Sequence, residues 1–79
     1  MVTVYTLPSC PGCMRTKAWL KIKEVEFDEV DLTADGKVYA DIVIKKGFQT
    51  APVVSVQRGD DEVWWAGHDV EKLGEYLDS

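Results

Sequence analysis

The chain has two cysteines, and they fall within four residues as Cys10-Pro11-Gly12-Cys13. No other feature narrows the possible folds so far. Ahead of the pair, Val2-Thr3-Val4-Tyr5-Thr6-Leu7 is a β-branched, aromatic and aliphatic run that predicts a buried strand, ended by Pro8. After it, Pro11 suits the first position of a helix, because its missing N–H would be unpaired there and its φ is already helical. The local order is strand, short loop, cysteine, helix.

A helix N-terminus presents unpaired N–H groups and a partial positive charge, both of which stabilise an anion. Cys10 is therefore placed to act as the thiolate nucleophile. Cys13 lies one turn further in on the same side and is expected to be less exposed. The division of labour follows: Cys10 attacks a target disulfide, and Cys13 resolves the mixed disulfide by attacking Cys10. Pro11 and Gly12 set the geometry and potential of the motif.

Other readings of the pair are weaker. Tetrahedral zinc needs four ligands, and besides carboxylates the chain adds only His68, so no metal site is expected. A structural staple over so short a loop removes little chain entropy. Two incidental core cysteines remain an alternative.

The size, 79 residues with 46% hydrophobic content, predicts one small domain over 1–79. A formal net charge of −5 argues against nucleic acid or an anionic membrane as partner. No stretch is apolar and long enough to span a bilayer, and the N-terminus lacks a signal-peptide pattern. A reducing, cytoplasmic location is expected, where the cysteine pair cycles.

A helix is predicted from Pro11 to Lys23, with Cys13, Thr16 and Leu20 as one stripe and Met14, Ala18 and Ile22 widening its inward face. Arg15 and Lys17 are candidates to hold the Cys10 thiolate; Lys21 and Lys23 complement the helix end. Trp19 is read as packing. Glu26 to Asp31 predicts a short strand near a sheet edge. Thr33 is expected to cap a second helix, with Asp35 in its first turn and Val38, Tyr39, Ile42, Val43 and Ile44 on its apolar side. Lys45-Lys46-Gly47 supplies a cationic end and a C-cap glycine, and Gly36 is a point where the first turn can fray.

Pro52 opens the next strand, Val53-Val54-Ser55-Val56, one of the few strand positions proline tolerates. Next to a redox motif, a cis Ala51-Pro52 bond is expected, with the Ala51 backbone offered to an extended substrate near Cys10. Gln57 to Asp61 is a turn and Glu62 to Trp65 a returning strand. The Arg58-Gly59-Asp60 tripeptide has a sufficient explanation as that turn. Trp64 and Trp65 point to opposite sides, one core and one partly exposed. Asp69 is placed to cap a last helix carrying Val70, Leu73, Tyr76 and Leu77, and His68 is read as a surface or interface residue.

This order is similar to the thioredoxin fold in its short glutaredoxin form, over nearly the whole chain. Within that group the sequence most resembles the NrdH-type redoxins. Val-Tyr-Thr leading to Cys10 and Cys13, Gly47-Phe48-Gln49-Thr50-Ala51-Pro52-Val53-Val54, Trp65 and Gly67 carry the resemblance. Glutaredoxins that use glutathione usually have Thr-Val-Pro where this chain has Thr50-Ala51-Pro52. The resemblance implies an α/β architecture, β-α-β-α-β-β-α, with a four-stranded mixed sheet flanked by three helices and the first two strands parallel. It implies substrate backbone docking at Thr50, Ala51 and Pro52. It also implies a monomeric electron donor to ribonucleotide reductase, reduced by thioredoxin reductase, with NADPH used indirectly and no cofactor bound. Leu7 stands where a lysine is frequent, and His68-Asp69-Val70-Glu71 replaces Phe-Arg-Pro-Asp. Two alternatives stay open: a glutathione-dependent glutaredoxin, and a noncatalytic redox-sensing module that docks a partner through Trp65, Gly67 and His68.

Overall fold

The computed structural model describes residues 1–77. Four strands, β1 (Val2–Thr6), β2 (Asp28–Asp31), β3 (Val53–Arg58) and β4 (Asp61–Ala66), form one sheet in the order β2-β1-β3-β4. β1 runs parallel to β2, pairing Val4 with Glu29, and antiparallel to β3, pairing Val4 with Val54. β3 and β4 form the expected hairpin, with Arg58 opposite Asp61, so only Gly59 and Asp60 make the turn. Gly59 has φ +61°, the left-handed conformation such a tight connection requires.

Alternation along the strands divides the core between two sheet faces. On one, Val2, Val4, Val54, Val56 and Trp65 pack with Leu20 of helix α1 (Pro11–Ile22) and Leu73 of helix α3 (Val70–Leu77). On the other, Val53 packs with Leu32 and Ile42, flanked by Tyr5, Phe48 and Trp64. The central strand β3 is thus covered on both sides, and Val53 and Val54 are each fully buried.

α1 buries Cys13, Thr16 and Leu20, the stripe expected from spacing. Met14, Ala18 and Ile22 do not widen that face. All three are exposed, Ile22 at 78%, and Trp19 packs against the core instead. The physical reason is the geometry of the sheet contact: it accepts one row of α1, and Trp19 has the reach to fill its margin. The helix ends without glycine. Glu24 adopts φ +58°, its N–H donates to Lys21 O and that of Val25 to Leu20 O, closing a Schellman motif on a glutamate.

The second helix departs from expectation at its start and in its winding, and ends at Gly47 as expected. Its N-cap is Asp35, whose carboxylate accepts the Lys37 N–H; Thr33 instead donates its own N–H and hydroxyl to Asp31. α2 (Gly36–Tyr39) then runs on as a π-helical segment (Ala40–Lys45), ended by Gly47 at φ +77°. Ile42 is buried as expected, while Tyr39 and Ile44, also expected inward, are exposed because they lie off the side that packs on Leu32 and Val53. In α3, Asp69 caps as expected by accepting the Lys72 N–H; Leu73 is buried but Val70 is 54% exposed.

Leu20→Ala is expected to lower unfolding free energy by about 2–5 kcal/mol, and Ile22→Ala by less than about 0.5 kcal/mol. Urea titration of both reduced proteins measures the difference.

Candidate active site

β1 delivers the chain to one end of the sheet, where Leu7, Pro8 and Ser9 turn it into α1. Ser9 holds φ +57°, a left-handed conformation uncommon outside glycine, asparagine and aspartate. Cys10 is the N-cap: its backbone is extended, its Sγ accepts the Cys13 N–H at 3.2 Å, and its carbonyl accepts the Met14 N–H at 3.1 Å. Pro11 occupies the first helical position. The sulfur thus satisfies a backbone donor that the helix would otherwise leave unpaired.

The two thiols are unbridged and differ in environment. Cys10 is partly exposed; Cys13 is 2% exposed. Burial first, then a hydrogen bond with Cys10, pushes the Cys13 thiol up from 9.0 to about 11, against a smaller downward pull from a backbone hydrogen bond at Leu7 and the charge of Lys17. Cys13 therefore stays protonated at neutral pH.

Gly12 sits where other elements close on the motif. A Cβ placed on it would meet Pro52 Cδ at 3.3 Å, Ala51 O at 3.6 Å and His68 Cβ at 3.7 Å. The first of these contacts is tight, so the motif glycine fits closely under the loop before β3. The Ala51-Pro52 bond is cis, the isomer expected. The Gly67 N–H donates to Pro52 O at 2.7 Å, and His68 Nδ1 hydrogen-bonds Thr16 Oγ1 at 2.8 Å. Cys10, Gly12, Cys13, Ala51, Pro52, Gly67 and His68 are thereby brought to one end of the sheet, with Thr50 exposed beside them.

Trp65 is not at this site. At 4% exposure it lies in the core and stacks on Tyr76, so a docking role through its ring does not fit; strand alternation turns it inward. Its neighbour Trp64 is the partly exposed one, stacked between Tyr5 and Phe48, with the Lys46 ammonium 4.3 Å from its ring centroid and its Nε1 donating to Glu62.

Thr6, Glu29 and Asp31 were not singled out as site residues by sequence. A cleft of about 220 Å³ beside the thiols is lined by Cys10, Cys13, Lys17, Glu29 and Asp31, with Thr6 at its floor. Lys17 Nζ lies 3.0 Å from Glu29 Oε2, and the buried Thr6 hydroxyl donates to the same oxygen at 3.1 Å. The Lys17 hydrogen bond above all, then that of Thr6, holds the Glu29 carboxyl below its ordinary range, against a burial effect that raises it. Lys17 is committed to this pair rather than standing over Cys10 as expected. Only a strand-pairing register brings Glu29 to α1, and β2 has no sequence mark that fixes its register. Thr16 was legible as inward, yet its partner His68 lies 52 residues away.

The glutaredoxin family model matches residues 2–60. The glutaredoxin-like protein NrdH of Lactococcus lactis subsp. lactis is 38% identical over 55 residues, covering 70% of this chain and 75% of that protein. Among solved structures, the NrdH-redoxin of Escherichia coli, described as having a thioredoxin-like activity profile, superposes with a TM-score of 0.81 at 23% identity, covering 99% of this chain and 96% of that one. A glutaredoxin from Archaeoglobus fulgidus gives 0.74 at 31% identity, covering 99% and 86%.

With iodoacetamide at about pH 7.5, alkylation of the reduced protein is expected at Cys10 alone, and at Cys13 only as pH climbs toward 11, read by peptide mass mapping. The sign for stability follows from the same shift. An unfolded Cys13 ionises near 9.0 and the folded one near 11, so the reduced fold loses stability as pH rises across that window. Cys13→Ser removes that part of the slope in urea titrations.

Proposed function

This chain belongs to the glutaredoxin family, as an NrdH-like redoxin and thiol–disulfide oxidoreductase, and we propose that it is a dithiol electron donor to the disulfide of ribonucleotide reductase. In this reading thioredoxin reductase returns it to the dithiol, with NADPH as the ultimate electron source and no cofactor held by the chain. It works as one redoxin domain over 1–79, monomeric and cytoplasmic, with neither nucleic acid nor a membrane as partner. Among the described residues no helix is long and apolar enough to cross a membrane.

The observation that carries the catalytic assignment is the inequality of the two sulfurs: Cys10 partly exposed on a helix N-terminus, Cys13 buried and held as a thiol. Cys10 thiolate attacks one sulfur of the target disulfide, forming a mixed disulfide and releasing the first target thiol. Cys13 then gives up its proton and attacks Cys10 Sγ; the Cys10–Cys13 disulfide forms, and the second target sulfur leaves and takes a proton. Two electrons have passed from this chain to the target.

Ala51, Pro52 and Thr50 form the backbone platform for an extended target segment, with Gly67 and His68 as the opposite margin. The reading that glutathione is the reductant finds less support. That tripeptide carries two carboxylates against one ammonium, and the cleft beside Cys10 already holds Glu29 and Asp31 against Lys17.

The test is reduction of the oxidised protein by NADPH with thioredoxin reductase, set against glutathione with glutathione reductase. Fast reduction by the first system alone is expected; fast reduction by glutathione overturns the assignment, and reduction by neither leaves the redox-sensing module. Cys10→Ser is expected to abolish turnover, and Cys13→Ser to accumulate a mixed disulfide with the target, visible on a non-reducing gel.

A further inference from the structure

The resolving step places a demand that the two cysteines do not meet by themselves. Cys13 is almost fully buried, yet it must become a thiolate to attack Cys10. Once Cys10 is in a mixed disulfide it has no negative charge to oppose that ionisation, but burial still opposes it. Besides the backbone hydrogen bond at Leu7, which already favours the thiolate, a cation near Cys13 lowers that barrier.

Four titratable groups besides Cys13 line the cleft that reaches it: Cys10 from the loop, Lys17 from α1, and Glu29 and Asp31 from β2. His68 approaches from the other side of Gly12, with its ring tied to Thr16. Asp31 is engaged by the N–H and hydroxyl of Thr33. Lys17 is the one full-time cation of the set. It stands four residues after Cys13, on the same face of α1. Its ammonium is fixed in the cleft by Glu29, whose carboxylate is fixed in turn by the buried Thr6 hydroxyl.

We propose that Lys17, tethered through Glu29 and Thr6, is a positioning residue that supplies the positive charge for the Cys13 thiolate during resolution of the mixed disulfide. The Lys17 charge acts downward on the Cys13 thiol, in the direction required. The tether matters because a free lysine side chain spends most of its time in solvent, whereas this one is 27% exposed and held. The assignment rests on the division of labour between Cys10 and Cys13 stated above. It does not depend on which protein is the physiological target.

The experiment uses the whole reduced chain and 4,4′-dithiodipyridine, an uncharged probe. Cys10 thiolate cleaves the probe and releases one thiopyridone; Cys13 then loses its proton, attacks Cys10, and releases the second, leaving the protein disulfide. Stopped-flow absorbance resolves the two releases. In Lys17→Met the second release is expected to slow about two- to threefold at neutral pH, since a weaker nucleophile population is offset in part by higher intrinsic reactivity. Its pH midpoint should rise by about half to one unit. The first release should stay within about twofold, and Lys17→Arg should restore the second. In the unaltered protein, raising salt from about 0.05 M to 1 M should slow the second release through screening of this partly exposed charge. Lys17→Met should lack that dependence.

An unchanged second release and midpoint in Lys17→Met, or no rescue by Lys17→Arg, overturns the proposal. If Lys17→Met fails to fold, a second release insensitive to salt in the unaltered protein overturns it alone. Release of only one thiopyridone overturns the role of Cys13, and the proposal with it, which separates that failure from a failure of Lys17.

Discussion

Everything at the reactive end of this molecule hangs on a helix that begins on a sulfur. The first turn of α1 needs an acceptor for the Cys13 N–H, and Cys10 Sγ supplies it. That bond fixes the reactive sulfur and ties it by three residues to the thiol it will later meet. Pro11 starts the helix there, and β1, paired on both sides, holds the loop that precedes it. A partly exposed acceptor at a helix N-terminus also needs no further scaffold to remain in place, which suits a domain of 79 residues.

The surrounding elements then close on α1 rather than on the sulfurs. Gly12 lies close under Pro52, and Thr16 is tied to His68. The Gly67 to Pro52 hydrogen bond joins the two margins to each other. The result is a frame around a motif of which one sulfur is open to a partner and the other is almost fully buried.

Much of this was written in short-range sequence. The first strand, the stripe of Cys13, Thr16 and Leu20, the hairpin after Pro52 and the Asp69 cap each depend on a few neighbouring residues and are read there, although the strand stops before Leu7 and the turn expected over Gln57 to Asp61 narrows to Gly59 and Asp60. The misreadings share another cause. Met14, Ala18 and Ile22 are apolar at plausible spacing, but the sheet leaves no room for a second row. Thr33 and Asp35 are both good caps, and Asp31 captures the threonine. Tyr39 and Ile44 are apolar but lie off the side of their helix that buries Ile42. The Lys17–Glu29–Thr6 chain joins α1, β2 and β1, and no local pattern encodes it. Trp64 and Trp65 show the limit most plainly: alternation says that they differ, and only the packing says which one is inside.

β2 has a second consequence. It is an outer strand of the sheet, and three of its four residues, Asp28, Glu29 and Asp31, are exposed carboxylates. The other outer strand, β4, opens with exposed Asp61 and Glu62. Two copies meeting along either border would bring rows of like charge together without solvent between them. The sheet is therefore guarded against growing by accretion of further chains, and the guard is charge rather than shape.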